Sequence, residues 1–415
     1  MGDTRVETMD GPMQKILLIS DGHGEDWVAA QIAHHLHHPQ SRVCLELMAL
    51  PMVGDGHSYE QVGVPVALST RNLPSGGFTF KTVRGLLLDV QAGLGSYGQY
   101  LLNSALELAR WADLIIAVGD ILPMGVAWLT GKPFVFIGCT KSDYYTAGAH
   151  SCYHPWERVL MQSPRCLHTF TRDAITCKNL RLHHIPASYW GNPMMDGLEV
   201  SSDTTQDHSG QVRIGLLPGS RPQEAQRNLI EMLACLPEIC EHSQKPVHFE
   251  AAISAGLSLE SFYQLARLSG WQRLSDHQLI RANTVVHLEY ASFSRILHGS
   301  DLLIAMAGTA TEQAVGLGKP VVTIPGQGPQ FTRRFARLQR QLLGESVLVV
   351  EAPRTRLPKA VSSTVWSVLH DRTRLAIIGD NGRQRMGRPG AAHQIAQYVL
   401  AQLPQPVRDV PRSCN

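Results

Sequence analysis

Three short loops in the sequence combine glycine with charged or hydroxyl side chains, each between an apolar run and a helical pattern. They are 217–224 (Leu-Pro-Gly-Ser-Arg-Pro-Gln-Glu), 307–313 (Ala-Gly-Thr-Ala-Thr-Glu-Gln) and 21–26 (Asp-Gly-His-Gly-Glu-Asp). Glycine lets a ligand approach the backbone, and the free N–H groups of a helix start attract an anion. The first two loops therefore indicate a phosphate-bearing ligand, and the third offers candidates for a general base.

In the first loop, Gly219 permits close backbone approach to the ligand. Ser220 is placed either to cap the following helix or to donate to a phosphate. Arg221 adds a charged donor that suits phosphate oxygens. The alternative is a plain serine N-cap followed by a solvated arginine, and the local pattern leaves both open.

The second loop offers a similar set at another helix start. Gly308 allows backbone approach, while Thr309 and Thr311 supply hydroxyl groups. Glu312 or Gln313 lies in the first turn, from which a polar side chain can reach ribose hydroxyls. The alternative is a helix cap with a glutamate matched to the dipole.

Composition excludes several classes of protein. The 415 residues contain 37 Lys+Arg against 35 Asp+Glu, without the basic excess typical of a nucleic-acid binder, so we expect no nucleic-acid partner. No uninterrupted run of 18 apolar residues occurs, so no membrane-spanning helix is expected. The eight cysteines form no Cys-x-x-Cys pair, which favours reduced thiols and a cytoplasmic location. The acidic and histidine residues lack the spacing of a defined metal motif, so we expect no metal site.

Short apolar segments that alternate with helical patterns predict the α/β class, with doubly wound parallel sheets. Strands are expected at 15–20, 43–50, 113–118, 133–138, 212–217, 247–253, 284–288, 301–305, 320–324 and 347–350. The polar stretch 200–211 reads as a linker. We therefore predict an N-terminal α/β domain over 13–199 and a second α/β domain over 212–380. A C-terminal helix over 381–403 is expected to return toward the first domain.

The first two loops occur together with two further motifs, 189–196 (Tyr-Trp-Gly-Asn-Pro-Met-Met-Asp) and 325–331 (Pro-Gly-Gln-Gly-Pro-Gln-Phe). Taken together in chain order, these four motifs resemble those of the lipid-A-disaccharide synthases. The resemblance is closest to the subgroup called lipid-A-disaccharide synthase-related proteins. The last motif is also similar to the sugar loop of MurG-type glycosyltransferases. The resemblance spans about residues 13–400 and is strongest from 186 to 345. It implies the GT-B fold, in which two Rossmann-like domains face a cleft. By this resemblance the N-terminal domain, 13–199, lies on the acceptor side, and the C-terminal domain, 212–380, binds the nucleotide-sugar.

That family transfers a sugar from a UDP-sugar to a lipid-linked acceptor with inversion, in lipid A biosynthesis. No metal or cofactor beyond the donor is implied. By resemblance, Gly219, Ser220 and Arg221 face the diphosphate, and Gln327 and Gln330 approach the donor sugar. Thr309, Thr311 and either Glu312 or Gln313 lie at the phosphates and ribose. The family's usual glutamate falls where this chain has Gln313, so the ribose contact stays open between the two.

Inversion requires a base that takes the proton of the acceptor hydroxyl. The family carries an aspartate pair after the third strand, whereas this chain has Asp120 alone in 118–123. Asp26 matches the last aspartate of the family's first loop. The candidates are Asp120, His23 and Asp26, in that order. A strand-end cap is the alternative role of Asp120, and His23 is alternatively a plain loop histidine.

A lipid acceptor calls for a surface that meets the membrane. Segment 77–88 mixes aromatic and aliphatic residues with two cations, and a glycine-rich stretch follows at 93–100. This pattern suits peripheral contact with the inner face of the cytoplasmic membrane, or else a core helix with its loop. Two other functions stay open, an isomerase of the UDP-N-acetylglucosamine 2-epimerase type and a catalytically degenerate UDP-sugar binder.

Overall fold

The structure, a computed structural model, describes residues 13–37, 44–54, 56–68, 94–199, 210–254, 257–290, 292–326, 328 and 331–403. These residues form two compact units. The first contains the described residues of 1–196 and 389–415, and the second those of 197–388. Most of the expected linker 200–211 and the whole membrane-facing candidate 77–88 lie outside the described residues.

The first unit is built on a parallel sheet. Its described strands are β1 (Gln14–Ser20), β2 (Leu45–Pro51), β3 (Leu114–Val118), β4 (Phe134–Gly138), β5 (Cys166–Thr171) and β6 (Ala187–Ser188). They lie in the order β2-β1-β3-β4-β5-β6. Helices cover the sheet, and the central strands β3 and β4 are buried along their whole length. Such strands read as continuous apolar runs because both of their faces are covered.

Up to Asp196, the first unit contains six described α-helices. They are α1 (His23–Leu36), α2 (His57–Gln61), α3 (Leu94–Trp111), α4 (Ile121–Leu129), α5 (Pro155–Met161) and α6 (Ala174–Leu182). Their apolar faces join Leu17, Ile115 and Phe136 of the sheet in one core. Side-chain caps define two helix starts, because Asp120 accepts from the Leu122 N–H and Asp173 from the Thr176 N–H.

The second unit contains a larger, mixed sheet. Its described strands are β7 (Val212–Leu217), β8 (Val247–Ile253), β9 (Gln272–Ser275), β10 (Gln278–Arg281), β11 (Thr284–Tyr290), β12 (Leu302–Ala305), β13 (Val321–Thr323) and β14 (Val347–Val349). The order is β14-β13-β12-β7-β8-β11-β10-β9. All pairs are parallel except those of β10, which runs antiparallel to β9 and β11. This edge hairpin departs from the expected all-parallel sheet.

The second unit's described helices are α7 (Pro222–Glu241), α8 (Leu259–Leu268), α9 (Phe293–Gly299), α10 (Thr309–Gly316), α11 (Arg333–Leu343), α12 (Leu357–Leu369) and α13 (Arg372–Met386). The core that they form with the sheet centres on Phe249, Phe262 and Trp271. Because α13 continues to Met386, the second unit extends past the boundary expected at residue 380.

The chain then re-enters the first unit at Pro389, where α14 (Ala391–Gln402) packs on α1. Asp196 fixes the start of this last helix. Its carboxylate accepts hydrogen bonds from the backbone N–H groups of Gly390 and, at 2.7 Å, of Ala392. A carboxylate at a helix N-terminus also interacts favourably with the helix dipole.

Candidate functional site

The two phosphate-binding loops predicted from sequence lie side by side in the second unit. They follow β7 and β12, which are adjacent parallel strands with Leu217 opposite Ala305. The Met306 N–H donates to the Leu217 carbonyl at 2.9 Å, which continues the pairing into the loops. Because both strands end at the same edge, the N-termini of α7 and α10 begin there as well. This is the edge at which open α/β sheets bind ligands.

One side chain ties these loops together. Asn228 of α7 is 3% exposed, and its Nδ2 donates to the Pro218 carbonyl at 2.9 Å and to the Met306 carbonyl at 3.2 Å. Asn228 is not among the site residues predicted from sequence. A single asparagine within an amphipathic helix gives no signal of its own, since its partners lie on two other segments of the chain.

The first loop turns sharply before its helix begins. Gly219 has a φ of 107°, in the region that favours glycine. Ser220 is exposed, and the N-cap position belongs to Arg221, with no side-chain cap. Of the two roles left open for Ser220, the helix cap is therefore not the one that the structure shows. The helix begins at Pro222, whose fixed φ and missing N–H suit the first helical position. The half-buried Arg221 lies directly at this helix start.

The two threonines of the second loop differ in their exposure to solvent. Thr309 begins α10 and is half-buried, whereas Thr311 is fully buried and donates its hydroxyl proton to the Ala307 carbonyl at 2.7 Å. The only hydroxyl proton of Thr311 is thus used inside the unit, so of the two threonines Thr309 is the more accessible. Gly308 occupies the N-cap position without a side-chain cap, which fits backbone approach.

Of the two ribose candidates, Gln313 is buried and Glu312 is half-buried. Glu312 is thus the one with solvent access. A further residue supports this loop from α11, since Gln339 Nε2 donates to the carbonyls of Ala307 at 3.0 Å and Gly308 at 3.2 Å. The loop is consequently held from both sides, by Asn228 and by Gln339.

The 325–331 loop is anchored to the first turn of α7. The Phe331 N–H donates to Glu224 Oε1 at 3.0 Å, and a Cβ added at Gly328 would lie 2.2 Å from that same oxygen. The Gly326 N–H closes the loop by donating to the Phe331 carbonyl at 2.8 Å. Gln327 and Gln330, the predicted sugar contacts, lie outside the described residues.

In the first unit, Asp120 follows β3 and serves as the N-cap of α4. Its Oδ1 accepts from the Leu122 N–H at 2.9 Å. The cap predicted as its alternative role is therefore present. Among the residues that the structure describes, Oδ2 has no hydrogen-bond partner, and the side chain is half-buried. One carboxylate oxygen thus orients the group while the other is available for a proton.

Asp26 is enclosed. It is 1% exposed, and its Oδ1 accepts a hydrogen bond from Ser20 Oγ at 2.5 Å. Ser20 Oγ lies 2.6 Å from the hydroxyl of the buried Tyr59. The pKa of Tyr59 is raised well above its usual value, by burial first and then by the charge of Asp26. Burial excludes an acceptor hydroxyl from Asp26, which argues against its predicted role as the base.

His23 is half-buried at the start of α1 and lies next to Asp26. A Cβ added at Gly54 would lie 3.1 Å from His23 Cε1 and 3.5 Å from Asp26 Oδ2. Similarly, a Cβ at Gly119 would lie 1.9 Å from Asp21 Oδ1, so the Asp21 carboxylate packs on the residue before Asp120. The 21–26 loop and the end of β3 therefore form one acidic edge.

Among the residues that the structure describes, no group of three His, Cys, Asp or Glu side chains is arranged to hold a metal ion. Nor is any helix in this part of the chain long and apolar enough to cross a bilayer. The seven cysteines among the described residues are free thiols.

The two α/β units, one on a parallel sheet and one on a mostly parallel sheet, are consistent with the GT-B fold. No protein-family model matches the sequence, and no curated protein matches it. Solved structures do match over nearly the whole chain.

Three of these structures illustrate the likeness. The UDP complex of MnaA from S. aureus has a TM-score of 0.59 at 14% identity, covering 95% of this chain and 99% of that one. The Streptomyces sp. SF2575 glycosyltransferase SsfS6 gives 0.56 at 14%, covering 93% and 99%. The UDP-GlcNAc 2-epimerase from Neisseria meningitidis, bound to UDP-GlcNAc, gives 0.54 at 14%, covering 94% and 100%. At this identity the likeness establishes the fold.

Proposed function

We propose that the chain is a metal-independent glycosyltransferase that moves a sugar from a UDP-sugar to a lipid-linked acceptor with inversion, like a lipid-A-disaccharide synthase. The observation that carries the proposal is the Asn228 bridge between Pro218 and Met306, which holds two helix N-termini together. Two adjacent helix starts suit a ligand with two linked phosphates. Structural neighbours bound to UDP or UDP-GlcNAc support this choice of donor.

The donor's diphosphate would lie at the starts of α7 and α10. Backbone N–H groups after Gly219 and Gly308 would bind its oxygens, and Arg221 would add a charge-assisted hydrogen bond. As the bond between the sugar and the phosphate breaks, its electron pair passes to the departing UDP. Donors that already point at this charge stabilise it without reorganising, which makes UDP a better leaving group. Glu312 is our candidate for the ribose.

Asp120 is our candidate for the base. The cap on Oδ1 fixes the carboxylate, and Oδ2 would accept the proton of the acceptor hydroxyl. The acceptor oxygen then forms its bond to the anomeric carbon from the face opposite UDP, and the configuration inverts. His23 is the second candidate, since it is half-buried whereas Asp26 is enclosed.

A lipid-linked acceptor implies peripheral contact with the cytoplasmic membrane. Helix α5 supports this part of the proposal, because it carries Trp156 and Val159 at 60% and 64% exposure. The Trp156 ring stacks on His154 with centroids 4.3 Å apart. Exposed tryptophan is typical of side chains that sit at the boundary between water and lipid. Cosedimentation with anionic vesicles should fall when Trp156 is replaced by serine.

The deciding experiment incubates the purified protein with several UDP-sugars, each with and without a bacterial lipid extract, and follows the products by mass spectrometry. We expect UDP release that depends on lipid, together with a lipid whose mass has increased by one sugar. An altered sugar without lipid would instead indicate the epimerase. UDP binding with neither product would indicate the degenerate binder.

A further inference from the structure

Asn228 joins the two helix starts at a single atom. Its Nδ2 donates to Pro218, just before Gly219, and to Met306, just before the 307–308 turn. Its Oδ1 faces Gly326 of the 325–331 loop, since a Cβ added at Gly326 would lie 3.2 Å from that oxygen. The 217–224 loop, the 307–313 loop and Gly326 therefore all lie within reach of one buried amide.

This placement has a consequence for ligand size. A monophosphate would occupy the N–H groups of one helix start, whereas a diphosphate would span two. Only the diphosphate would depend on the spacing between the loops, and the Asn228 side chain donates to the backbone of both. On the basis of the proposed function, we propose that Asn228 is a positioning residue that makes the site selective for nucleoside diphosphates over monophosphates.

The proposal is specific to the amide group. An aspartate has nearly the same shape but has no donor for the two carbonyls, so it would repel both of them. Alanine removes the bridge altogether. In either variant the two loops should separate, and each would still bind a single phosphate.

The chain supplies a matched control in the same unit. Asn381 of α13 also bridges two acceptors, since its Nδ2 donates to the Leu343 carbonyl and to Ser346 Oγ, both at 2.7 Å. Neither acceptor belongs to the 217–224, 307–313 or 325–331 loop. Asn381→Ala therefore reports the cost of losing a bridging asparagine without changing the candidate site.

The test measures UDP and UMP affinities by calorimetry for the wild type, N228A, N228D and N381A. We expect the wild type to prefer UDP over UMP by about tenfold or more, as one additional charge-assisted contact gives. In N228A and N228D this preference should fall to about twofold or less, with UMP affinity kept. N381A should keep the wild-type ratio.

Each other result has a distinct meaning. An unchanged ratio in N228A and N228D, or an equal loss of UDP and UMP, overturns the role of Asn228 and leaves the donor site standing. A wild type that binds both nucleotides equally also overturns the inference alone. A wild type that binds neither removes the donor site and the inference together.

The wild type offers a test that does not require the variants to fold. Backbone amide exchange, followed by mass spectrometry, reports each loop separately. We expect UDP to protect the amides of both 219–221 and 308–311, and UMP to protect those of one loop only. The same protection pattern with both nucleotides would overturn the inference.

Discussion

Ser20 donates its hydroxyl proton to Asp26 across 2.5 Å, with both side chains enclosed in the first unit. Ser20 ends β1 and Asp26 lies in the first turn of α1, so the bond fixes the helix on its strand. Because that proton points to Asp26, the neighbouring Tyr59 hydroxyl, 2.6 Å from Ser20 Oγ, is the donor in its contact with Ser20. The three groups form one buried chain, and its carboxylate is structural.

Replacing Ser20 with alanine should therefore destabilise the first unit. The change removes a donor from a buried carboxylate and an acceptor from the Tyr59 hydroxyl, at a cost of about 1–3 kcal/mol. The free energy of urea unfolding measures the loss. Ser104→Ala in α3 is the matched control, because no hydrogen bond joins its hydroxyl to any residue that the structure describes. An S20A protein as stable as S104A would show that the chain contributes nothing.

Tyr59→Phe tests whether the chain is cooperative. It removes the hydroxyl and keeps the ring, so S20A, Y59F and the double variant form a mutant cycle. We expect a coupling energy of about 0.5 kcal/mol or more, because the two groups share one network. Additive losses would mean that the two contacts act independently.

Asp120→Asn separates the cap of α4 from the proposed base. Asparagine is as good an N-cap as aspartate, so its side-chain oxygen can still accept from the Leu122 N–H. The charge, however, is lost. We expect turnover to fall by about 100-fold or more, with UDP affinity and the free energy of unfolding unchanged.

An aspartate-to-asparagine change at another N-cap is the control for the effect of losing a capping carboxylate. Asp371 caps α13 by accepting from the Arg374 N–H at 2.9 Å, and it belongs to the second unit. D371N should keep full turnover. Near-normal turnover in D120N would transfer the role of base to His23, and H23A would then be the next variant to assay.

The apolar strands could be predicted from sequence because burial on both faces leaves a continuous signal. The strands expected at 212–217 and 247–253 match Val212–Leu217 and Val247–Ile253, and the one expected at 43–50 lies at Leu45–Pro51. Two kinds of strand were missed. In β5 the sequence Cys-Leu-His-Thr-Phe-Thr alternates weakly, and the four residues of β9 are all exposed. These strands form because they pair with neighbouring strands of the sheet, and their own sequence pattern does not show that pairing.

The candidate site likewise has features that the local sequence predicts and features that it does not. Glycine and hydroxyl residues at the end of a strand are local signals, so the loops around Gly219 and Gly308 were predictable. Which threonine faces outward depends on the residue at which the helix begins, and sequence does not fix that point to one residue. The Asn228 bridge spans 78 positions to Met306, and no local pattern encodes such a partner.

Arg221→Ala tests the proposed diphosphate contact. The side chain is half-buried at the first position before α7, so its loss should weaken UDP binding by about tenfold or more while the unit stays folded. Arg227→Ala is the control. It is an exposed arginine of the same helix whose Nε donates to the Gln223 carbonyl at 3.1 Å. Unchanged UDP affinity in R221A, measured by calorimetry, would remove Arg221 from the site.

Glu250 should make the stability of the second unit depend on acidity. It accepts from Arg213 and Arg295, both at 2.6 Å, and thereby joins β8 to β7 and α9. Burial alone would raise the pKa of Glu250, but the His248 ring at 3.7 Å and the hydrogen bonds from Arg295 and Arg213 together lower it well below its usual value. The folded state therefore prefers the charged carboxylate more strongly than the unfolded state does.

The sign of the pH dependence follows from this direction. The stabilisation is complete above the unfolded glutamate pKa of about 4.3 and is lost as the pH falls toward the lowered folded value. Glu250→Gln should cost about 3 kcal/mol at pH 7, because it leaves two cations without their carboxylate. This gap to the wild type should narrow as the pH falls below about 4, because the wild-type carboxylate then takes up a proton on unfolding, which favours its unfolded state. Glu289→Gln, half-buried and 3.5 Å from Arg295, should cost at most about 1 kcal/mol. Urea unfolding at several pH values measures both variants, and a gap that stays constant down to pH 2 would show that Glu250 is not the group that titrates.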